Sequence, residues 1–132
     1  MDIELFTLCD YATNDDGRLT IVNTLDNLVV DKFPWRAYFG FALKGTIKHI
    51  RQEDTILTLS LYLKGQEETC IFNSSAPLMN KVGRFAAAGN LRGLIFEQPG
   101  EYIFKVYSNN GLCREYVFDV KLAESSATNN EN

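Results

Sequence analysis

The sequence predicts an all-β protein: an antiparallel two-sheet β-sandwich of seven or eight strands, immunoglobulin-like in arrangement. Three observations predict it. Strand-length segments alternate apolar and polar residues with period two, as half-buried strands do. Short turns rich in Asn, Asp, Gly and Pro separate them. No amphipathic helical pattern longer than two turns interrupts the series, so sheets must pack on sheets. The immunoglobulin-like feature is the Pro99-Gly100 turn ahead of a strand led by Tyr102, although no Cys-Trp-Cys spacing accompanies it.

Residues 3–12 read as a first strand, apolar on both faces, followed by the turn Asn14-Asp15-Asp16-Gly17. Residues 18–30 extend, with a break or bulge near Asp26-Asn27. A two-residue Asp16-Gly17 loop pairs Leu8 with Leu25 and Ala12 with Ile21, and sets Asp10 opposite Asn23. A three-residue loop pairs Tyr11 with Ile21 and Cys9 with Asn23. The first is preferred because it matches apolar with apolar. Phe33-Pro34-Trp35 is a connector, since Pro34 has no ladder donor. Residues 36–47 put Ala37, Phe39, Phe41 and Leu43 on one face, with Gly45 a bulge site. Residues 49–54 are a polar loop. Residues 55–63 place Leu57, Leu59, Leu61 and Leu63 together, and a Gly65-Gln66 turn of type II′ pairs Leu61 with Cys70 and Leu59 with Phe72. Residues 74–90 carry the weakest pattern: an irregular stretch from Ala76-Pro77, then a short helical turn or a strand before Gly89. Residues 91–96 are a strand.

The final hairpin is the most specific. Gln98-Pro99-Gly100-Glu101 has Pro and Gly where a type II turn needs them. Tyr102, Phe104 and Val106 alternate on one side of it, Tyr116, Phe118 and Val120 on the other. A two-residue Asn110-Gly111 turn would oppose Phe104 to Val117 and split the aromatic faces. A three-residue Asn109-Asn110-Gly111 loop, with Gly111 left-handed in a bulge, opposes Phe104 to Tyr116, Tyr102 to Phe118 and Lys105 to Glu115. Each buried aromatic contributes about 1.5–3 kcal/mol, which outweighs the turn preference. The three-residue loop is expected.

At 132 residues the chain reads as one domain over residues 1–122, with residues 123–132 a disordered tail lacking periodicity. A net charge of −4 argues against a nucleic-acid footprint, which needs a basic stripe. The densest basic cluster, Lys44, Lys48, His49 and Arg51, reads as a solvated strand end and loop rather than an anion patch. The opening Met-Asp-Ile-Glu-Leu-Phe lacks a basic n-region, and no segment reaches the roughly 18 apolar residues of a membrane span. Cys9, Cys70 and Cys113 are odd in number and far apart, and read as small buried apolar residues in a reducing compartment. A cytoplasmic location is expected.

Leu8-Cys9-Asp10-Tyr11-Ala12, Gly17-Arg18-Leu19-Thr20-Ile21 and Pro99-Gly100-Glu101-Tyr102 resemble an uncharacterised bacterial family of small β-sandwich proteins, a domain of unknown function. The resemblance covers nearly the whole domain. It implies a sandwich fold and brings no activity, cofactor or catalytic residue.

Catalytic arrangements find little support. His49 is the one histidine, and no element brings a nucleophile near it. Three scattered cysteines do not make a zinc site. Asp10, Asn14, Asp15 and Asp16 lack the spacing of a calcium loop and read as turn formers. No cofactor is expected. Asp10 shares a strand face with Phe6, Leu8 and Ala12, so its carboxylate must be hydrogen-bonded: to a loop backbone or Asn23, or as a polar group at the end of a pocket. Trp35 reads as an edge plug over the core, or as a platform for sugar beside Phe33 and Tyr38. Ile103, Tyr107, Cys113 and Val117 give the last hairpin a semi-apolar outer face, a candidate interaction face. The expected function is a non-enzymatic protein-binding or assembly module, its partner an unknown protein or a second copy. A small-ligand or carbohydrate-binding domain is the alternative.

Overall fold

The computed structural model describes residues 1–49, 55–66, 70–78, 82–109 and 111–124. Among them are nine strands: β1 (Asp2–Asp15), β2 (Arg18–Leu25), β3 (Asn27–Val30), β4 (Trp35–Ile47), β5 (Thr55–Leu63), β6 (Cys70–Leu78), β7 (Gly83–Phe96), β8 (Gly100–Ser108) and β9 (Gly111–Leu122). They build a four-stranded sheet, β2-β1-β4-β7, and a five-stranded sheet, β3-β9-β8-β5-β6. The first is antiparallel, but β3 runs parallel to β9, so the second is mixed. The expectation of seven or eight antiparallel strands is thereby corrected. Leu25 ends β2 in one sheet and Asn27 opens β3 in the other, so the break at Asp26 is a change of sheet. Where the weakly patterned region is described, strand replaces the irregular stretch expected from Ala76-Pro77: β6 continues to Leu78. Of the helical turn or strand expected before Gly89, the strand is found: β7 runs from Gly83. Its alanines carry no local strand signal and are held by pairing with β4, from Lys44 opposite Ala86 to Phe41 opposite Gly89.

The inner faces of the two sheets meet in one core. Phe104 is fully buried, with ring centroids 5.6 Å from Phe6, 6.5 Å from Phe39 and Phe41, and 6.0 Å from Phe118. Phe6, Phe39 and Phe41 belong to the four-stranded sheet, so these contacts tie the layers together. Leu57, Leu59, Leu61 and Leu63 are all buried on the expected face. Two phenols close the core: Tyr102 donates to the Gln98 carbonyl at 2.6 Å, and Tyr116 to that of Leu25 at 3.0 Å, beside the change of sheet.

The final hairpin has the expected strand register, with Tyr102 opposite Phe118, Phe104 opposite Tyr116 and Lys105 opposite Glu115. Its loop is corrected. Ser108 pairs with Gly111, which opens β9 and has no left-handed φ; among the described residues of the loop the left-handed one is Asn109, at φ 47°. The bulge lies in β9, where Tyr107 faces Leu112 after Val106 has faced Arg114. The aromatic faces are reconciled by a bulge inside the strand instead of in the turn. Asn109 also extends the ladder to β5: its N–H donates to the Ile56 carbonyl at 2.9 Å, and its Oδ1 accepts from the Ile56 N–H at 2.7 Å. Residue 110 of that loop lies outside the described residues. The β5–β6 register is corrected too. Leu61 faces Phe72 and Leu59 faces Ser74, with a bulge before Tyr62 meets Cys70. The two-residue displacement preserves the faces, because side chains alternate with period two. Residues 67–69 of that turn, residues 50–54 of the expected polar loop and residues 125–132 of the expected tail lie outside the described residues. Ala123, inside that expected tail, donates its N–H to the Val30 carbonyl at 2.7 Å.

The first hairpin keeps the preferred register, Leu8 with Leu25 and Ala12 with Ile21. Asp16 and Gly17 have φ of 51° and 86°, as a two-residue type I′ turn needs. β1 pairs with β4 only up to Cys9 opposite Gly40. Beyond that the hairpin folds over the outer face of β4 and β7. There Cys9, Ala12 and Ala42 form a second small core, with Leu19, Ile21 and Ala88 packed against it. The Asn90 side chain holds it down: its Oδ1 accepts from the Ala12 N–H at 3.0 Å, and its Nδ2 donates to the Ala12 carbonyl at 2.8 Å. An amide side chain thus stands in for a strand. It passes over Gly40, where a Cβ would lie 2.7 Å from Asn90 Oδ1 and 3.1 Å from the Ala12 nitrogen. On the inner side Phe41 covers Gly89, where a Cβ would lie 2.6 Å from its ring.

Gly40→Ala should destabilise by about 1–3 kcal/mol through overpacking. Asn90→Ala should cost about 1–2 kcal/mol by leaving two part-buried backbone groups unpaired. The double variant should lose less than the sum, because the clash partner is gone; urea denaturation reads all three. Burial pushes the Tyr102 and Tyr116 phenols above their ordinary range. Their neutral forms stabilise the fold fully below the unfolded value near pH 10, and that stability falls as pH rises further. Absorbance at the phenolate band should show Tyr102 and Tyr116 ionising only as the protein unfolds.

Candidate functional site

Two surfaces gather the residues that the sequence singles out. The first is the outer face of the five-stranded sheet. Here Ile103 lies opposite Val117 on one side and opposite Tyr62 on the other. Val117 is 50% exposed, and Ile103 and Tyr62 are half-buried, so the three make a band across β9, β8 and β5. Lys105 sits 5.6 Å over the Tyr62 ring and 3.9 Å from Glu115, and Lys64 pairs with Glu101 at 2.7 Å. Charges therefore flank the band. Tyr107 is half-buried on the same face but its neighbour is Leu112, which is 53% exposed, because the bulge moves Cys113 out of register. Half-buried Cys113 instead turns its thiol toward the Gly111 carbonyl at 3.6 Å. Tyr62 was missed, although the alternation Ile56, Thr58, Ser60, Tyr62 places it on this face. Leu112 had no signal, since only the bulge exposes it.

The second surface is the elbow where the first hairpin turns over the sheet. Asn23 donates from Nδ2 to Asp10 Oδ2 at 2.9 Å, as the register implied. Asp10 is exposed, however, and does not share the core face of Phe6 and Leu8. The chain bends after Leu8, so the alternation that would bury residue 10 is broken there. Asn23 supplies the bend on the other strand with φ 51°, which Asn tolerates better than most residues. Between β1 and the β4–β7 pair lies an open cleft of about 250 Å³, lined by Asp10, Tyr11, Tyr38, Phe39, Asn90 and Arg92 among others. Tyr38 is 63% exposed and Tyr11 46%. Trp35 does not join this cleft. It is half-buried and stacks on Phe96 at 5.9 Å, as an edge plug does.

Other expectations separate similarly. Cys9 is buried, and burial raises its thiol pKa, but Cys70 is exposed and Cys113 half-buried, so the reading of three buried cysteines holds for one. All three thiols are free. Lys48 binds Asp2 at 2.7 Å, and its ammonium holds that carboxyl below its ordinary range. Asn14 Oδ1 accepts from the Gly17 N–H at 2.9 Å, a turn-forming role. Among the described residues no group of three or more His, Cys, Asp or Glu side chains converges as a metal site. No helix among them is long and apolar enough to cross a membrane.

A family model matches residues 4–121, and its description is Family of unknown function (DUF6941). No curated protein matches the sequence.

Asn23→Gly should change stability by less than about 1 kcal/mol, because relief at positive φ offsets the lost exposed hydrogen bond. Asn23→Val should cost about 1–3 kcal/mol, since a β-branched residue at positive φ is strained. Thermal melting of the two variants side by side measures the difference.

Proposed function

The chain belongs to that family of unknown function, and we propose that it is a non-enzymatic protein-binding or assembly module of the cytoplasm, acting through the outer face of its five-stranded sheet. The observation that carries this is the band Val117–Ile103–Tyr62, half-buried at Ile103 and Tyr62 and exposed at Val117, on a face whose flanks are charged. A solvated sheet face is ordinarily polar, and an apolar centre with a charged rim is the anatomy of an interface. The free thiols fit a reducing compartment. The architecture is proposed to be immunoglobulin-like. In support, Tyr102 near the start of β8 bonds back to Gln98, and a chain that changes sheet sets β3 parallel to the last strand.

A second reading rests on the elbow cleft. Two exposed tyrosines beside Asp10 and Arg92 combine ring faces with polar groups, the equipment of a small-ligand or carbohydrate site. Trp35 is set back from this cleft, so it serves as a reporter only.

Sedimentation velocity over a range of concentrations tests the first reading in its self-assembly form. The sedimentation coefficient should rise with concentration, and Val117→Asp should hold the protein monomeric with an unchanged melting temperature. A monomer at every concentration, with no partner retained by the wild type and lost by Val117→Asp, overturns it.

A further inference from the structure

Sheet edges are templates for further strands, and proteins blunt them. Three of the four edges here are blunted. β3 has only four residues. β6 carries Pro77 and a bulge. β2 carries Arg18 at its start and a left-handed Asn23. β7 is different. At 14 residues it is one of the two longest strands, and among the described residues it has β4 as its sole sheet neighbour. From Phe85 to Leu91 it contains neither charge nor proline: Phe-Ala-Ala-Ala-Gly-Asn-Leu. That open stretch spans about 23 Å at ~3.3 Å per residue. Left-handed Gly93, the extra residue where Leu94 and Arg92 face consecutive residues of β4, ends it on one side. Asn14 of the first hairpin donates from Nδ2 to the Ala86 carbonyl at 3.0 Å, a side-chain cap at one point of the stretch.

Arg84 and Arg92 bracket the stretch. They lie on the same outer face, eight residues apart, opposite Thr46 and Tyr38. Among the described residues neither has an ion-pair partner. In a chain of net charge −4, two unpaired cations at the ends of an uncharged edge are a selective arrangement. They also oppose self-pairing. Two copies of β7 related by a two-fold axis at Ala88 would set each Arg84 against the other copy's Arg92, and directly opposed like charges destabilise a strand pair.

We propose that the β7 edge from Phe85 to Leu91 takes up an extended segment of a partner protein as an added strand, with acidic side chains eight residues apart meeting Arg84 and Arg92. The proposal rests on the protein-binding reading and gives it a second surface. Backbone pairing would supply affinity, and the two arginines would select the sequence.

The probe is a fluorescein-labelled peptide, Glu-Thr-Val-Thr-Val-Thr-Val-Thr-Glu, compared with its Lys-ended counterpart by fluorescence anisotropy at low salt. The wild-type protein should bind the Glu-ended peptide at least about tenfold more tightly, and added salt should erode the difference. Arg84→Glu with Arg92→Glu, both on the surface, should invert the preference. Hydrogen exchange should slow at residues 85–91 when the Glu-ended peptide is bound. Equal binding of both peptides, a preference that survives charge reversal, or protection appearing elsewhere overturns the proposal. If it fails while Val117-dependent association persists, the sheet-face reading stands; if both fail, the protein-binding reading fails with them.

Discussion

The packing of Phe104 between the sheets is the contact on which the rest depends. Its ring reaches Phe6, Phe39 and Phe41 of one sheet and Phe118 of its own. To place it there, β8 and β9 must pair so that Tyr102, Phe104, Tyr116 and Phe118 share a face. That register then decides what points outward. Ile103 and Val117 face outward as a pair because Phe104 and Tyr116 face the core. The bulge at Leu112 and Cys113 is the local adjustment that lets a short Asn-led turn close strands whose register the aromatics dictate.

A second constraint shapes the four-stranded sheet. Its outer face is lined by small residues, Gly40, Ala42, Ala86 and Ala88, so the first hairpin can lie across it. The price is a gap in the ladder where β1 leaves β4, and Asn90 fills it with two hydrogen bonds to Ala12. The Asp10–Asn23 bond and the elbow cleft are products of that bend. The Cys9-Asp10-Tyr11 group follows from it: Cys9 is buried under the hairpin, Asp10 is at the elbow, and Tyr11 faces solvent.

The two surfaces proposed to meet a partner are by-products of the same packing. The apolar band lies on the face the aromatic core leaves behind. The sheet ends at β7, and the hairpin that covers its face reaches this edge through the Asn14 bond to the Ala86 carbonyl.

Period-two patterning by itself determined the all-β class, the face of each strongly alternating strand and the pairing of both terminal hairpins, because burying large apolar side chains dominates register. Leu57 to Leu63 and Tyr102 to Phe118 were legible for that reason, and so was Asp10 opposite Asn23, which follows from the register of its neighbours. Tertiary structure alone decided the rest. The alanines of β7 have no periodic signal and are strands only because β4 pairs with them. The β5–β6 displacement keeps the faces and so leaves no trace in the pattern, and the bulge beside Cys113 switches the face of Leu112 with no local signal. The parallel β3 is set by a change of sheet at one residue, and the exposure of Asp10 by a bend that only the small outer face of β4 and β7 permits. Each of these depends on residues distant in sequence, where side-chain volume and unpaired backbone groups are satisfied only once the layers have met.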